Sequence, residues 1–291
     1  MKFIASRFRV PAFRAPAFPT LAGVALALVG PAVLPSCGAI SQLNLIPVSQ
    51  DPVLGAEAYP QLLAEDQTIG SGAEYDMVVR MTDRLVLAAK ELDPEIADLF
   101  EWEVVLVKRD DLVNAWCLPG GKMAVYTGIL PVADDGTGNK ETGLAVVMGH
   151  EIAHATLRHG TKAMTRQMGA QTIIALVGAA LGGGDGAQLA VMAGSLAANL
   201  GSLTFGRDAE LEADRRGLLY MATAGYDPRA AVAFWQRMQA ASGGQAPPEW
   251  LSTHPSNENR IKQIQSLLPE AIPVYEQSRS SGGLKSFKPK G

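Results

Sequence analysis

The chain lacks the features that define several common classes of protein. Its 291 residues carry a formal net charge of −4, and an acidic balance of this kind does not suggest a surface for nucleic acid. Only two cysteines are present. Cys117 lies in the apolar segment "NAWCLPGG", where a small buried side chain is the simplest interpretation. We therefore expect no nucleic-acid partner and no role for Cys117 as a reactive thiol.

A long uninterrupted apolar run is also missing. The run "LAGVALALVGPAVL" at residues 21–34 is broken by Gly and Pro, and it is shorter than the about 20 apolar residues of a transmembrane helix. It follows a basic N-terminus without acids, with Lys2, Arg7, Arg9 and Arg14. This pattern is typical of an export signal, which we assign to residues 1–36.

Cys37 follows a small residue at the end of that signal, as in a bacterial lipobox, although Pro35 is atypical there. We predict that Cys37 is lipidated, which would leave the chain no internal disulfide. Gly38 in place of Asp favours transport to the outer membrane, so the expected location is the periplasm, anchored by lipid to the outer membrane. A soluble periplasmic protein and an inner-membrane anchor are the alternatives.

The rest of the chain divides into three parts by composition. Residues 37–72 are rich in Pro, Gly, Ser and Gln and predict a tether. Residues 73–270 predict an α+β domain, mainly helical, in which "WEVVLVKRD" and "KMAVYTGIL" form a small antiparallel sheet. Residues 271–291 predict a disordered basic tail. The apolar run at 169–200 is broken by "GGGDG", which favours a buried helical hairpin covering the site over membrane insertion.

The stretch "VVMGHEIAHATLRHG" contains H-E-x-x-H at His150, Glu151 and His154. On a helix, residues i and i+4 share a face, so both histidines can direct a ring nitrogen at one metal ion. Glu151 can then take a proton from water at that ion. His159 is one residue out of register for the third histidine of related motifs, and we interpret it as a residue at the helix end.

A third ligand is available in "FGRDAELEADRRGL", where Glu210 and Asp214 share one helical face. Ala213 and Gly217 beside them permit close packing against the first helix. One carboxylate would complete a His/His/Glu set with an open position for water, and Asp214 could accept the free ring N–H of a ligating histidine. Taken alone, the acidic cluster is more typical of a solvated helix face than of a ligand set.

Four successive segments together resemble the M48 family of zinc metallopeptidases: "NAWCLPGGKMAVYTGIL", "VVMGHEIAHATLRHG", "AELEADRRGLLYMATAGYDPRAAVAFWQRM" and "LSTHPSNENRIKQI". The resemblance covers residues 73–268 and implies a gluzincin-type domain. It implies one Zn²⁺ per chain bound by His150, His154 and Glu210, Glu151 as general base and Asp214 beyond the ligands. It also implies that His254 approaches the metal cleft with Arg260 behind it.

The substrate would bind along an edge strand formed by "GGKMAVYTG", with Asn114, Gly120 and Gly121 shaping that edge. His254 is the candidate oxyanion donor, with Tyr126 as the second choice. His254 could instead occupy the fourth zinc position at rest, or be a surface residue.

Three functions are compatible with these features. The leading one is a zinc endopeptidase that hydrolyses unfolded or misassembled cell-envelope proteins. A chaperone or assembly factor of the same fold with rare or latent proteolysis is the alternative. A zinc-stabilised scaffold is disfavoured because a structural metal has no need of a general base.

Overall fold

The computed structural model describes residues 43–169, 192, 194, 196, 205–241, 249–254 and 259–281. These residues form ten α-helices and four strands. The helices are α1 (Asp51–Leu62), α2 (Ala73–Leu92), α3 (Pro94–Ala97), α4 (Leu130–Ala133), α5 (Glu141–Thr156), α6 (His159–Met168), α7 (Arg207–Thr223), α8 (Ala230–Ala241), α9 (Glu249–Thr253) and α10 (Arg260–Ser280). The strands are β1 (Thr68–Ile69), β2 (Glu103–Val107), β3 (Ala115–Cys117) and β4 (Lys122–Tyr126). The α+β class predicted from the sequence is confirmed.

The sheet is mixed, with strand order β1-β2-β4-β3. β3 and β4 form an antiparallel hairpin, closed by a turn in which Gly120 and Gly121 both have positive φ, a conformation that favours glycine. β2 and β4 pair in parallel, whereas the sequence predicted an antiparallel pair. The hairpin causes this difference, because β3 runs back along the sheet before β4 begins. β4 is therefore internal, and β3 takes the edge position predicted for "GGKMAVYTG".

α5 is the central helix, and every residue from Gly143 to Thr156 is buried. It packs against α7 through two glycines. A β-carbon on Gly217 would lie 2.8 Å from the backbone carbon of Gly149, and one on Gly149 would lie 2.9 Å from the backbone oxygen of Gly217. The two helix backbones therefore approach closely, as the small residues of α7 predicted, and Glu210 and Asp214 of α7 face the histidines of α5.

The segment from residue 43 to residue 69 packs on the domain, in contrast to the predicted tether over 37–72. Ile46, Leu54 and Ala58 are buried with Trp116 and other residues in a second apolar cluster, and β1 pairs with β2. Leu54 and Ala58 lie four residues apart on one face of α1 and are buried in the same cluster as Ile46, which composition alone did not indicate. Residues 1–42, including the predicted signal and Cys37, lie outside the described residues.

The C-terminal boundary also differs from the sequence prediction. α10 continues to Ser280, ten residues past the predicted domain end at 270, and Ala271 is buried. Ser278 donates a hydrogen bond to the carbonyl of Thr223 at 2.9 Å, which ties this last part of the helix to α7. The remaining tail, residues 282–291, lies outside the described residues.

The predicted apolar hairpin falls almost entirely outside the described residues. Met192 and Leu196 belong to the described part and are buried in the second apolar cluster. Among the helices that the structure describes, none combines the length and the apolar character that crossing a bilayer requires.

Candidate active site

α5 presents two buried histidines and a buried glutamate at the centre of the molecule. His150 and His154 lie one turn apart, and their Nε2 atoms are 3.0 Å from each other. Glu151 lies next to His150 and lines a cavity that reaches this point. The helical spacing read from the sequence therefore brings the three side chains together.

Glu210 reaches the same point from the first turn of α7. Its Oε1 lies 3.3 Å from His154 Nε2, and its Oε2 lies 3.6 Å from His150 Nε2. The solvated helix face that the acidic cluster would form in isolation is not what the structure shows, because Glu210 and Asp214 are both buried.

His254 follows α9 and enters the same group. Its Nδ1 lies 3.2 Å from His150 Nε2 and 3.0 Å from Glu210 Oε1. The side chain is buried, so the interpretation of His254 as a surface residue does not hold.

These four side chains fit a metal ion. Their ligand atoms all lie within 4.8 Å of one another, and the contacts given above span 3.0 to 3.6 Å. Tetrahedral zinc with bonds of about 2.0 to 2.2 Å sets its ligand atoms roughly 3.3 to 3.6 Å apart. Burial and the neighbouring His150 hold the pKa of His154 well below its ordinary value, which keeps the ring in the neutral form that binds metals.

A charged layer surrounds these ligands. His150 Nδ1 donates to Asp214 at 2.9 Å. The Nε2 atom of the same ring is then the nitrogen that can bind a metal ion. Arg260 donates to Glu210 at 2.6 Å and to Asp214 at 2.7 Å, and its guanidinium stacks 3.8 Å from the ring centre of Trp235.

The charge balance keeps both acidic groups ionised. Burial opposes the ionisation of Asp214, but the charge of Arg260 and the hydrogen bond from His150 outweigh it and lower the pKa of Asp214. Burial likewise opposes the ionisation of Glu210, and the charge of His254 with the hydrogen bonds from His154 and His254 lowers its pKa. Both groups are therefore carboxylates near neutral pH.

His159 lies in direct contact with a ligand candidate, which the sequence did not indicate. It begins α6 and is buried, with its Nδ1 2.9 Å from His154 Nδ1 and its Nε2 3.1 Å from Glu212. Arg158 adopts a left-handed conformation with φ of 59°, and this residue separates α5 from α6. His159 therefore contacts the outer nitrogen of His154 and is not one of the four ligand candidates.

Two aromatic residues near the ligands were not predicted from the sequence. The ring of Phe205 lies 4.1 Å from that of His154 and stacks on that of His254 at 5.4 Å. Trp250 stacks on His254 at 4.8 Å, and its indole N–H donates to Glu151 Oε1 at 2.6 Å. Short polar motifs give no signal for such contacts, because they depend on how distant segments pack.

A cavity of about 330 Å³ opens beside Glu151 and His154, bordered by the edge strand β3. Asn114 and Tyr126 line it, as predicted, and so does Cys117. Cys117 is partly exposed there rather than fully covered, and burial together with the charge of Glu151 raises the pKa of its thiol. The thiol is therefore in its unreactive protonated form near neutral pH.

The structure places the two predicted edge glycines elsewhere. Gly120 packs against Pro52 of α1, and Gly121 packs against Trp102, so neither is among the residues that line the cavity. The hydroxyl of Tyr126 accepts a hydrogen bond from Trp116 at 3.2 Å, which engages it within the second apolar cluster.

The fold and the donor set are those of a metal-dependent peptidase, in which two histidines of one helix and a carboxylate of a second helix surround one point. The sequence profile of Peptidase family M48 matches residues 77–268. The chain belongs to this family.

Named relatives come from mitochondria and from bacteria. The chain is similar to the mitochondrial metalloendopeptidase OMA1 of Schizosaccharomyces pombe, with 33% identity over 81% of this chain and 66% of the relative. It is 32% identical to the mitochondrial metalloendopeptidase OMA1 of Homo sapiens over 76% of this chain and 42% of the relative. It is 31% identical to the beta-barrel assembly-enhancing protease of Escherichia coli over 58% of this chain and 35% of the relative. The chain thus spans less than two thirds of the length of each.

Proposed function

We propose that the protein is a zinc-dependent endopeptidase with His150, His154 and Glu210 as its metal ligands. The observation that carries the proposal is the convergence of these three side chains at ligand spacing, with Glu151 beside them in a cavity bordered by β3, the edge strand of the sheet that the described residues form. Three protein ligands and one further position are the composition of catalytic zinc sites. The names of the relatives support the same activity.

The side chains divide the reaction between them. Zinc at this site would act as a Lewis acid that lowers the pKa of water toward about 7 and polarises the scissile carbonyl. Glu151 takes the proton of the attacking water and returns it to the leaving amine nitrogen. Asp214 and Arg260 hold the ligands in place. The edge strand β3 pairs with the backbone of an extended substrate, which accounts for cleavage with loose sequence preference.

The direct test uses the full chain with an unfolded protein such as casein. We expect wild type to cleave it, and Glu151→Gln or a chelator to abolish cleavage while the fold, followed by circular dichroism, is retained. Cleavage by Glu151→Gln at the wild-type rate would contradict the assignment. Absence of cleavage by every form would favour the alternative of a chaperone or assembly factor.

His254 keeps the site latent in this proposal. The distances from its Nδ1 to His150 and to Glu210 are close to those between two ligands of one metal ion. This spacing supports His254 as the fourth metal ligand over His254 as oxyanion donor. We expect His254→Ala to raise basal proteolysis severalfold, measured with the same unfolded substrate. An unchanged or lower rate would count against latency and would return His254 to the donor role.

We propose further that the substrates are unfolded or misassembled envelope proteins, and that the protein is held in the bacterial periplasm by a lipid on Cys37. The signal pattern of residues 1–36 and the similarity to a bacterial beta-barrel assembly-enhancing protease support this location. Mass spectrometry of the mature N-terminus tests the anchor, and an unmodified N-terminus would contradict it.

A further inference from the structure

We infer that Trp250 is the positioning residue for Glu151. Its indole N–H donates to Glu151 Oε1 at 2.6 Å, and both side chains are buried. The proposed reaction uses Glu151 as general base but does not by itself require the indole of Trp250. The inference rests on the proposed peptidase function and adds the group that fixes the orientation of its general base.

Glu151 needs such a group because a carboxylate at the end of a glutamate rotates easily. The last torsion of glutamate is broad and roughly two-fold, so the side chain does not set the direction of its oxygens by itself. A general base must lie within hydrogen-bond reach of the proton that it takes. One N–H donor on Oε1 fixes the plane of the carboxylate and directs the second oxygen.

Trp250 can serve as a fixed donor because its backbone and its ring are both held by neighbouring residues. Its backbone N–H donates to the carbonyl of Val113 at 3.3 Å, next to Asn114 on the cavity wall. Its ring lies 5.2 Å from that of Trp235 and stacks on that of His254 at 4.8 Å. Trp250 therefore links the residues just before β3 with α5, the helix that carries Glu151.

A second contact to Glu151 comes from the same short segment. His254, one helical turn after Trp250, places its Nε2 3.3 Å from Glu151 Oε1. The indole contact differs in kind, since the indole nitrogen is only a donor and carries no charge. Removing that donor while the aromatic ring stays isolates its effect from the stacking.

Trp250→Phe makes this change in the full chain. We expect kcat for an unfolded substrate to fall by about 10- to 100-fold with KM within about twofold, the pattern of a misplaced catalytic group. Zinc content should equal that of wild type. The rates are measured in the wild-type and His254→Ala backgrounds, so that a latent resting site does not hide the effect. Trp102→Phe is the matched control, because the Trp102 indole donates to the carbonyl of Ala97 at 2.8 Å away from the site.

A second measurement does not depend on activity. In zinc-loaded protein labelled with ¹⁵N-tryptophan, the indole resonance that disappears in Trp250→Phe belongs to Trp250. We expect Glu151→Ala to shift this resonance and to leave that of Trp102 unchanged. An unshifted Trp250 resonance would show that the hydrogen bond is not formed in solution, which overturns the inference.

The kinetic outcomes are distinguishable from failure of the proposed function. If wild type is active and Trp250→Phe keeps its kcat within about twofold, the positioning role fails while the peptidase assignment stands. If neither background cleaves any substrate, the peptidase assignment fails and the positioning role fails with it. A loss of zinc in Trp250→Phe would assign Trp250 to metal binding and would also contradict the inference.

Discussion

At the scale of single residues, the site collects every histidine in the chain. The sequence contains four, and His150, His154 and His254 offer ligand atoms to one point while His159 contacts the outer nitrogen of His154. Burying four imidazoles together is costly unless their nitrogens have partners. The partners here are one another, Glu210, Asp214 and Glu212, an arrangement that a bound cation would satisfy.

Asp214 tests how far the groups behind the ligands control metal binding. Asp214→Asn removes the charge that accepts from His150 Nδ1 and that faces Arg260. Because such partners orient the ligating ring and raise its basicity, we expect zinc affinity to fall by about 10- to 100-fold. Competition with a chromophoric chelator measures this affinity.

Asp227→Asn is the control for that prediction, since Asp227 pairs with Arg229 at the surface. Its zinc affinity should match wild type. An Asp214→Asn affinity within twofold of wild type would mean that Arg260 alone orients the ligands.

The sequence predicts which site residues lie together when they are spaced along a single helix. His150 and His154, or Glu210 and Asp214, are four apart on a helix, so their common face follows from the chain alone. His159 is not a ligand candidate, as expected, but it begins α6 rather than ending α5, because the left-handed Arg158 redirects the chain just before it. Trp250 and Phe205 could not be predicted, because their contacts depend on the packing of segments about 50 to 100 residues away in the chain.

At the scale of elements, the seam between α5 and α7 positions the candidate metal ligands. Two helices can bring a carboxylate to a histidine pair only if their backbones approach closely, and Gly149 and Gly217 meet at the crossing. The small residues of α7 were visible in the sequence, and the close crossing they predicted is confirmed. The sheet was harder to predict, since the parallel pairing of β2 with β4 depends on the hairpin between them.

Gly217→Ala probes this seam. The added methyl would lie 2.8 Å from the backbone nitrogen of His150, so the helices must separate. We expect a loss of about 1 to 3 kcal/mol in the free energy of unfolding, measured by urea titration, together with weaker zinc binding.

Gly70→Ala is the matched change, because a β-carbon at Gly70 meets nothing within 4 Å. It should alter the free energy of unfolding by no more than about 0.5 kcal/mol. Equal stabilities for the two variants would show that the crossing adapts without cost.

At the scale of the whole molecule, the segment before residue 73 belongs to the folded domain. It contributes Leu62 to the cavity wall and buries Asp51 against the junction of α5 and α6. Arg158 donates to both oxygens of Asp51, at 2.7 and 2.9 Å, and to the carbonyl of Ile46 at 2.6 Å. Composition suggested a tether here because Pro, Gly and Gln are frequent, and it could not show that a buried ion pair holds the segment beside the site.

Arg158→Met leaves Asp51 buried without its partner. Breaking a buried pair in this way costs about 3 to 5 kcal/mol, and we expect a destabilisation of this size at pH 7.5 by urea titration. Asp51→Asn combined with Arg158→Met should recover part of the loss, because it removes the unpaired charge while keeping the same residue at position 158.

The pH dependence follows from the direction of the Asp51 shift. Burial raises the pKa of Asp51 in the folded chain even though Arg158 opposes it, and losing Arg158 raises it further. A folded-state pKa above the unfolded value gives stability that is complete below the ordinary pKa of about 3.8 and is lost as pH rises through the folded pKa. The stability gap between Arg158→Met and the double variant should therefore shrink as pH falls from 7.5 toward 4.5. A gap that is constant over this range would show that the charge of Asp51 is solvated in the variant and that the ion pair does not hold the N-terminal segment in place.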